Sequence, residues 1–177
     1  TEASEIDELL ADVAAQDTIA TSVNPILDKV VGQGFQGGPV LAQFSLRDRD
    51  IVTSYLDKTE VRRLLPPEYR YTRFVWGKPI QGSDIIELFA LKSNRTNTAP
   101  LSGGVVVDAL QTFDQLGNPA VSMQMDSRGA RIWENLTGKA YNQRSNIAIV
   151  LDEIVYSAPG VSSGAISGGR SEITGNF

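Results

Sequence analysis

The sequence contains no cysteine and no histidine among its 177 residues. Without cysteine the chain has no thiol nucleophile, no thiolate ligand for zinc or iron–sulfur clusters, and no disulfide. Without histidine it lacks the side chain that most often acts as general base and metal ligand near neutral pH. We therefore expect no catalytic residue, no metal site and no cofactor site in this chain.

Long apolar runs are also missing. A membrane-spanning helix needs roughly 20 consecutive apolar residues, whereas the longest apolar run here occupies residues 147–151 and predicts a buried strand. The chain begins at Thr1 rather than at methionine and shows no signal peptide, so we interpret it as a piece of a longer protein. Any membrane contact is then expected through flanking helices that this sequence does not include.

The charge balance gives no sign of a nucleic-acid partner. The chain has 16 Lys and Arg against 21 Asp and Glu, for a formal net charge of −5, and nucleic-acid binding needs a basic patch. The nearest candidate, Arg62–Arg63, is an isolated pair beside Glu60 and Glu68. Hydrophobic residues make up 41% of the chain, which is typical of a folded domain with its own core.

Apolar periodicity predicts helices and strands along the whole chain. Helices are predicted at a stripe formed by Ile6, Leu9, Leu10 and Val13, and over residues 25–31, 48–56, 60–65 and 126–137. Strands are predicted over residues 40–45, 69–76, 84–92, 105–113, 121–125, 146–152 and 154–157, with a short one around Ile173. A tight hairpin turn is expected at Asp152–Glu153, and Ile132, Trp133 and Leu136 are expected to face the core.

This order of elements predicts an α+β fold, with helices packed on a mainly antiparallel sheet. The order strand–helix–strand–strand occurs near residues 40–92 and again near 121–157. This repetition indicates that the chain forms two similar lobes, or it is only the pattern that any strand–helix unit produces. We interpret residues 1–177 as one domain; if it divides, the lobes are residues 1–95 and 101–177, and the polar stretch 93–104 is the linker.

Local patterns that could indicate a binding site have simpler structural explanations. Gly32, Gly34 and Gly37 match the G-x-G-x-x-G pattern of dinucleotide-binding folds. That pattern must follow a strand and open a helix, whereas here a helix is predicted before it and a strand after it. We therefore expect a flexible loop over residues 32–38. The acidic residues between 48 and 60 lack the spacing of a calcium-binding loop.

More specific information lies in the C-terminal part. Six short motifs follow one another there: Pro119-Ala120-Val121-Ser122-Met123, Gly129-Ala130, Ile147-Ala148-Ile149-Val150-Leu151-Asp152, Tyr156-Ser157-Ala158-Pro159, Ile166-Ser167-Gly168-Gly169 and Ile173-Thr174-Gly175-Asn176-Phe177. In this order the series, over residues 103–177, resembles the periplasmic region of the SecD family of protein translocase subunits. Residues 61–66 and the layout of the first hundred residues are similar to the longer insert of Bacteroidetes-type SecDF fusions.

The resemblance implies the first extracytoplasmic domain, or head, of SecD or of fused SecDF. Such a head lies on the periplasmic side of the bacterial inner membrane, in a full-length protein that is integral to that membrane. The implied role is non-catalytic: the head assists protein export by binding emerging unfolded preprotein and moves in response to proton flow in the membrane part. The implied partners are the preprotein, the SecYEG channel and the SecF part.

The motif residues are expected to have structural or hinge roles; they are Pro119, Asp152, Pro159, Gly168, Gly169, Ile173, Thr174, Gly175 and Phe177. Gly175 either acts as a hinge between the head and the rest of the protein, because glycine tolerates large backbone changes, or merely ends a strand. In an inserted domain the chain ends usually lie near each other, so residues 1–4 and 174–177 are expected to be close in space.

Two other functions remain open from the sequence. The first is a periplasmic carbohydrate-active hydrolase that uses a pair of carboxylates, with Asp152, Glu153 and Glu87 as candidates beside exposed aromatic side chains. The second is an extracytoplasmic ligand-binding or adhesion domain with no part in transport. A deep pocket with two facing carboxyl groups would favour the hydrolase.

Overall fold

The computed structural model describes residues 24–174. It contains three α-helices, which we number α1 to α3: Arg49–Leu56, Thr59–Leu64 and Ser127–Gln143. Nine strands, β1 to β9, occupy Val30–Gln33, Val40–Ser45, Thr72–Pro79, Ile85–Lys92, Val106–Phe113, Pro119–Met125, Ile149–Leu151, Ile154–Ser157 and Arg170–Thr174. The predicted α+β class is confirmed.

The strands form two sheets. The larger sheet has six strands in the order β1-β2-β4-β3-β8-β7, and the smaller has three in the order β5-β6-β9. All strand pairs are antiparallel except β3 with β8, where Trp76 pairs with Ile154 in parallel. The larger sheet therefore takes strands from both sides of the polar stretch 93–104.

One side of the larger sheet packs on α1. This core cluster contains Phe44, Val52, Leu56, Trp76, Ile86 and Leu88. Phe44 and Trp76 meet edge to face with ring centroids 5.5 Å apart, a geometry that aromatic quadrupoles favour. The indole N–H of Trp76 donates to the Thr53 hydroxyl at 2.9 Å, so the ring is buried without leaving its polar atom unpaired.

A second apolar cluster forms where the β7–β8 hairpin joins the larger sheet. Its buried members are Val75, Phe89 and Val155. The hairpin turn lies at Asp152–Glu153, as predicted, and both residues have positive φ, at 49° and 63°. This is the type I′ geometry that matches the twist of two-residue hairpins. Arg73 on β3 forms an ion pair with Glu153, which ties the turn to the sheet.

Helix α3 covers one side of the smaller sheet. Asp126 caps its start by accepting a hydrogen bond from the Gly129 N–H at 2.6 Å. A Cβ on Gly129 would lie 2.7 Å from Val105 Cγ2, so glycine is what allows the first turn of the helix to approach the chain there. Trp133, Thr137 and Ala140 continue the buried face.

Four predicted boundaries differ from those in the structure. The helix predicted over residues 25–31 is only a 3₁₀ turn, because Val30 pairs with Phe44 in β1. The loop predicted over residues 32–38 therefore begins inside β1. Helix α3 continues past residue 137 to Gln143, and Gly138 within it lies against Ala165, where an added Cβ would be 3.3 Å from the alanine methyl. The strand predicted over residues 146–152 is regular only over Ile149–Leu151.

Of the three side chains expected to face the core from α3, Trp133 is buried, whereas Ile132 and Leu136 are half-buried at the rim of a groove. The helix predicted around Ile6, Leu9, Leu10 and Val13 lies outside the described residues, as do Gly175, Phe177 and the expected meeting of the chain ends. Within residues 24–174, no helix has both the length and the apolar character that crossing a membrane requires.

Candidate functional site

The outer edge of β5 is the most exposed regular surface of the smaller sheet. Within residues 24–174, β5 pairs only with β6. Its other edge therefore offers a row of backbone N–H and C=O groups to solvent or to another chain. An edge of this kind is a ready template for one more strand.

The side chains of β5 are exposed as well as its edge. Val107, Leu110 and Phe113 are 64%, 61% and 64% exposed. Leu110 lies opposite Ser122 and Phe113 opposite Pro119; because successive residues alternate in a strand, Leu110 and Phe113 project from opposite faces of the sheet. The strand thus presents apolar side chains on both faces, and α3 leaves it uncovered.

A firm turn holds β5 against β6. The Asp114 carboxylate accepts the backbone N–H groups of Leu116 and Asn118, both at 2.8 Å, and the Asn118 side-chain amide at 3.0 Å. These hydrogen bonds, led by that from the Asn118 side chain, lower the pKa of Asp114 below its usual value. Gly117 supplies the positive φ, at 83°, that the turn requires. The turn therefore fixes the end of β5 in position beside β6.

A β-bulge interrupts the start of β5. The pairing register shifts between Val106 and Asp108, so two residues of β5 oppose one residue of β6 at that point. Bulges bend a strand and increase its twist. The bulge limits the regular open edge to the part of β5 from Asp108 to Phe113.

The motif residues of the smaller sheet lie together behind this edge. Pro119 begins β6, where a missing N–H is tolerated at a strand's first residue. Thr174 pairs with Ala120, and the buried Ile173 pairs with Val121. The backbone of Gly169 accepts a hydrogen bond from the Met125 N–H at 2.8 Å. Through these contacts the four residues help to hold the smaller sheet together.

Asp152 and Pro159 lie at the β7–β8 hairpin of the larger sheet, whereas Gly168 lies in the turn just before β9 of the smaller sheet. Asp152 forms the β7–β8 turn, and the Pro159 carbonyl accepts a hydrogen bond from the Ile147 N–H at 3.0 Å, which closes the base of that hairpin. Gly168 has φ of 80°, next to Gly169 at 75°. The motifs follow one another in the sequence, but in the fold they are distributed over two sheets.

The carboxylates considered for a hydrolase each have a separate partner. Glu87 accepts a hydrogen bond from the Gln43 side chain at 3.1 Å, and Glu153 pairs with Arg73. Asp152 and Glu153 are neighbours in a tight turn, where they do not face each other across a pocket. Within the part of the chain that the structure describes, no group of three or more acidic residues could hold a metal ion.

Two shallow grooves border α3. One, of about 350 Å³, is lined by Pro100, Arg131, Ile132, Asn135, Leu136 and Lys139. The other, of about 580 Å³, lies at the end of the helix and is lined by polar groups that include Asn142, Arg144 and Ser162. Neither contains a pair of facing carboxylates.

The edge position of β5 is not predicted by the sequence. Its pattern Val-Val-Asp-Ala-Leu-Gln-Thr-Phe predicts a strand, but this pattern does not say whether the strand is central or at an edge. One signal was available: Val107, Leu110 and Phe113 do not follow a strict two-residue alternation, so they cannot all face one core.

Comparison with known proteins gives one consistent result. The family model "SecDF, P1 head subdomain" matches residues 89–177. The protein translocase subunit SecD of Rhodothermus marinus is 42% identical over 156 residues, which cover 86% of this chain and 23% of that protein. The protein translocase subunit SecDF of Thermus thermophilus is 41% identical over 75 residues, which cover 42% of this chain and 10% of that protein. The chain thus spans less than a quarter of the length of these relatives.

Two solved structures are also similar. One, described as "Crystal structure of SecDF in Super-membrane-facing form", is 28% identical with a TM-score of 0.40, and the match covers 71% of this chain and 14% of that one. The other, "Structure and function of a membrane component SecDF that enhances protein export", is 35% identical with a TM-score of 0.38 and covers 45% of this chain and 36% of that one.

Proposed function

The chain belongs to the SecD and SecDF family of protein translocase subunits, and from this premise we propose that it is a non-catalytic head domain that binds emerging unfolded polypeptide during protein export. It acts on the periplasmic side of the bacterial inner membrane. The preprotein is its substrate, and the SecYEG channel and the SecF part are its partners.

The observation that supports this proposal is the open edge of β5. An extended polypeptide can add to such an edge as a further strand through main-chain hydrogen bonds. Because every residue type except proline offers the same backbone groups, this mode of binding accepts many sequences. That property suits a domain whose substrates share only the unfolded state.

Apolar side chains on both faces of β5 strengthen the same interaction. Leu110 on one face and Phe113 on the other lie beside the positions that alternate side chains of an added strand would occupy. Unfolded preproteins expose apolar side chains that are buried after folding. Backbone pairing and apolar contact together give binding without a deep pocket.

Movement is the second part of the proposal. The family resemblance implies that proton flow through the membrane part drives the head between orientations. In such a cycle the edge holds the emerging chain in one orientation and releases it in another. The domain then binds the emerging polypeptide. The membrane part, which lies outside this chain, supplies the driving force for the movement.

Site-specific photo-cross-linking tests the capture site. A photoreactive residue is placed at Leu110 in the full-length translocase subunit, and membrane vesicles translocate an arrested preprotein. The matched control carries the same residue at Leu64, which is 82% exposed on α2 and distant in sequence from the edge. We expect cross-links to the preprotein from position 110 and few from position 64. Equal yields from both positions would contradict the assignment of the edge.

Blocking the edge gives an independent readout. Val107→Lys with Leu110→Lys puts two charges on the edge strand, which natural proteins use to prevent strand addition. Since both side chains are mostly exposed, folding should be retained. We expect slower export than with Leu64→Lys, which adds one charge to another surface. Export at the unmodified rate by a stably folded double variant would remove the β5 edge from the mechanism.

A further inference from the structure

The two faces of β5 have different surroundings. A Cβ built on Gly129 of α3 would lie 3.1 Å from the Met125 Cβ, so α3 covers the face of the smaller sheet from which Met125 projects. Met123 shares that face because side chains alternate along a strand, and it pairs with Ala109 of β5. The two neighbours of Ala109 in β5 therefore project from the opposite face, away from α3.

The face away from α3 carries one carboxylate of β5, that of Asp108. This residue is exposed and is the only charged residue of the strand. Within residues 24–174, no basic side chain lies within 4.0 Å of it. Its row across the sheet runs through Gln124 to Arg170, so two strand spacings, about 9.5 Å, separate β5 from β9 there. A strand added at the open edge would lie only one spacing, about 4.8 Å, from β5, and its side chains would be closer partners for Asp108 than Arg170 is.

Leu110 is the next side chain on this face, and it is 61% exposed. Its row across the sheet runs through Ser122 to Glu172. Arg170 and Glu172 alternate on β9 and carry opposite charges, so the charge of β9 on this face is balanced, whereas that of β5 is not. A captured strand would thus meet a negative group and an apolar group two residues apart along β5.

The other face of β5 adds no charge. Ala109, Gln111 and Phe113 alternate on that face, and all three are uncharged. The next carboxylate along the chain, that of Asp114, follows the last residue of β5 and accepts hydrogen bonds from two backbone N–H groups and a side-chain amide of its own turn. The charge of the regular edge is therefore concentrated at Asp108.

The direction of an added strand follows from the sheet that it would extend. Strand β6 is antiparallel to both β5 and β9, and antiparallel pairing is slightly more stable per residue than parallel pairing. An antiparallel strand at the β5 edge passes Leu110 before Asp108, so its residue opposite Asp108 comes two positions after its residue opposite Leu110. If a basic residue opposite Asp108 came first instead, the apolar residue would fall at the β-bulge between Val106 and Asp108, where regular pairing ends.

We propose that the β5 edge prefers unfolded segments in which a Lys or Arg follows an apolar residue by two positions, bound antiparallel with the apolar side chain beside Leu110 and the basic one beside Asp108. This preference rests on the proposed capture of polypeptide at the same edge. Backbone pairing accepts many sequences, and the side chains at positions 108 and 110 rank them. Opposite charges on neighbouring strands stabilise their pairing, whereas like charges directly opposite destabilise it.

Four fluorescent peptides of about ten residues test the preference on the whole 177-residue chain, with dissociation constants measured by fluorescence anisotropy. Their centres read Leu-x-Lys, Lys-x-Leu, Leu-x-Gln and Leu-x-Glu in an otherwise identical neutral sequence, so the first two have the same composition. We expect Leu-x-Lys to bind up to about fivefold more tightly than Leu-x-Gln, the upper range for a cross-strand pair. Leu-x-Glu should bind more weakly than Leu-x-Gln, and Lys-x-Leu more weakly than Leu-x-Lys. High salt should reduce these differences because it screens exposed charges.

Substitutions of the carboxylate supply the controls. Asp108→Asn should remove the difference between Leu-x-Lys and Leu-x-Glu, and Asp108→Lys should reverse it. Asp50→Lys makes the same change in net charge at an exposed carboxylate on α1, and it should leave the order of the four peptides unchanged. A far-UV circular dichroism spectrum that matches the unmodified chain verifies that each variant is folded.

A photoreactive residue at Phe113, on the other face of β5, reports occupation of the edge independently of the charge at Asp108. If all four peptides cross-link there with equal dissociation constants, or if Lys-x-Leu binds more tightly than Leu-x-Lys, the preference is overturned while capture at the edge stands. If no peptide cross-links, both the preference and the capture are overturned. Cross-links between two copies of the chain without peptide would assign the edge to self-pairing and would also overturn both.

Discussion

Thr137 and Ile166 are joined by a hydrogen bond in which the backbone N–H of Ile166 donates to the Thr137 hydroxyl oxygen at 2.8 Å. Thr137 is fully buried, and its hydroxyl donates in turn to the Trp133 carbonyl at 2.8 Å. This hydroxyl therefore links the glycine-rich segment before β9 to helix α3. This contact adds to the pairing of β9 with β6 in holding the segment against the smaller sheet.

Replacing that hydroxyl tests the attachment. Thr137→Val keeps the shape but leaves the Ile166 N–H without its acceptor, and we expect a loss of roughly 1–3 kcal/mol in the free energy of unfolding. Thr137→Ser, which keeps the hydroxyl, should cost less. Urea unfolding of both variants measures the difference. Equal destabilisation by valine and serine would show that the hydroxyl contributes only by packing.

The two tryptophans should respond differently to loss of the indole N–H. Both are buried, but the N–H of Trp76 reaches Thr53, whereas that of Trp133 finds no acceptor within residues 24–174. We expect Trp133→Phe to be less costly than Trp76→Phe, because only the second breaks a hydrogen bond. Trp133→Ala should cost about 3–5 kcal/mol. Chemical denaturation measures all three, and a near-neutral Trp133→Ala would contradict the burial of the ring.

Acid should weaken the turn between β5 and β6. Hydrogen bonds to the Asp114 carboxylate, led by that from the Asn118 side chain, lower its pKa in the folded state below its usual value of 3.8. A lowered folded pKa stabilises the fold above the unfolded pKa, and that contribution is lost as pH falls through the folded value. Unfolding midpoints measured from neutral pH to below 3.8 should therefore fall less steeply for Asp114→Asn than for the unmodified chain. Identical pH profiles would exclude a role for this carboxylate.

Gly169 should be less replaceable than Gly164. Both have positive φ, at 75° and 85°, so alanine at either position should cost about 1–2 kcal/mol from backbone strain. At Gly169 the new Cβ would also lie 2.8 Å from the Ala130 Cβ, whereas at Gly164 it would meet nothing within 4 Å. Thermal unfolding should show a larger drop for Gly169→Ala. Equal drops would mean that the segment moves away from α3 at no cost.

Local sequence patterns were sufficient wherever neighbours along the chain determine the structure. The strand at residues 40–45 has the predicted bounds because alternation needs only one buried face. Asp126 caps α3 through a local contact, in which its carboxylate accepts a hydrogen bond from the N–H of Gly129, three residues on. The turn at Asp152–Glu153 follows from two polar residues between β-branched runs, and its positive φ angles are a local property.

Contacts between distant parts of the chain decided the rest. Val30 is in a strand because Phe44 pairs with it, although its own neighbours favour a helical turn. Gly138 of α3 lies close to Ala165, a residue distant in sequence that leaves little room for a side chain at position 138. Ile132 and Leu136 have core spacing, yet no second layer covers them within the described residues, so they line a groove.

The sequence by itself determined the fold class, most of the elements and, through a series of short motifs, the family. Those features depend on periodicity and on residue order, both of which a chain carries before it folds. Only the tertiary structure decided that β8 joins β3 in parallel and that β5 stays at an edge. A strand pattern in the sequence does not say which strand lies alongside, so the edge that we assign to polypeptide capture becomes visible only when all the pairings are known.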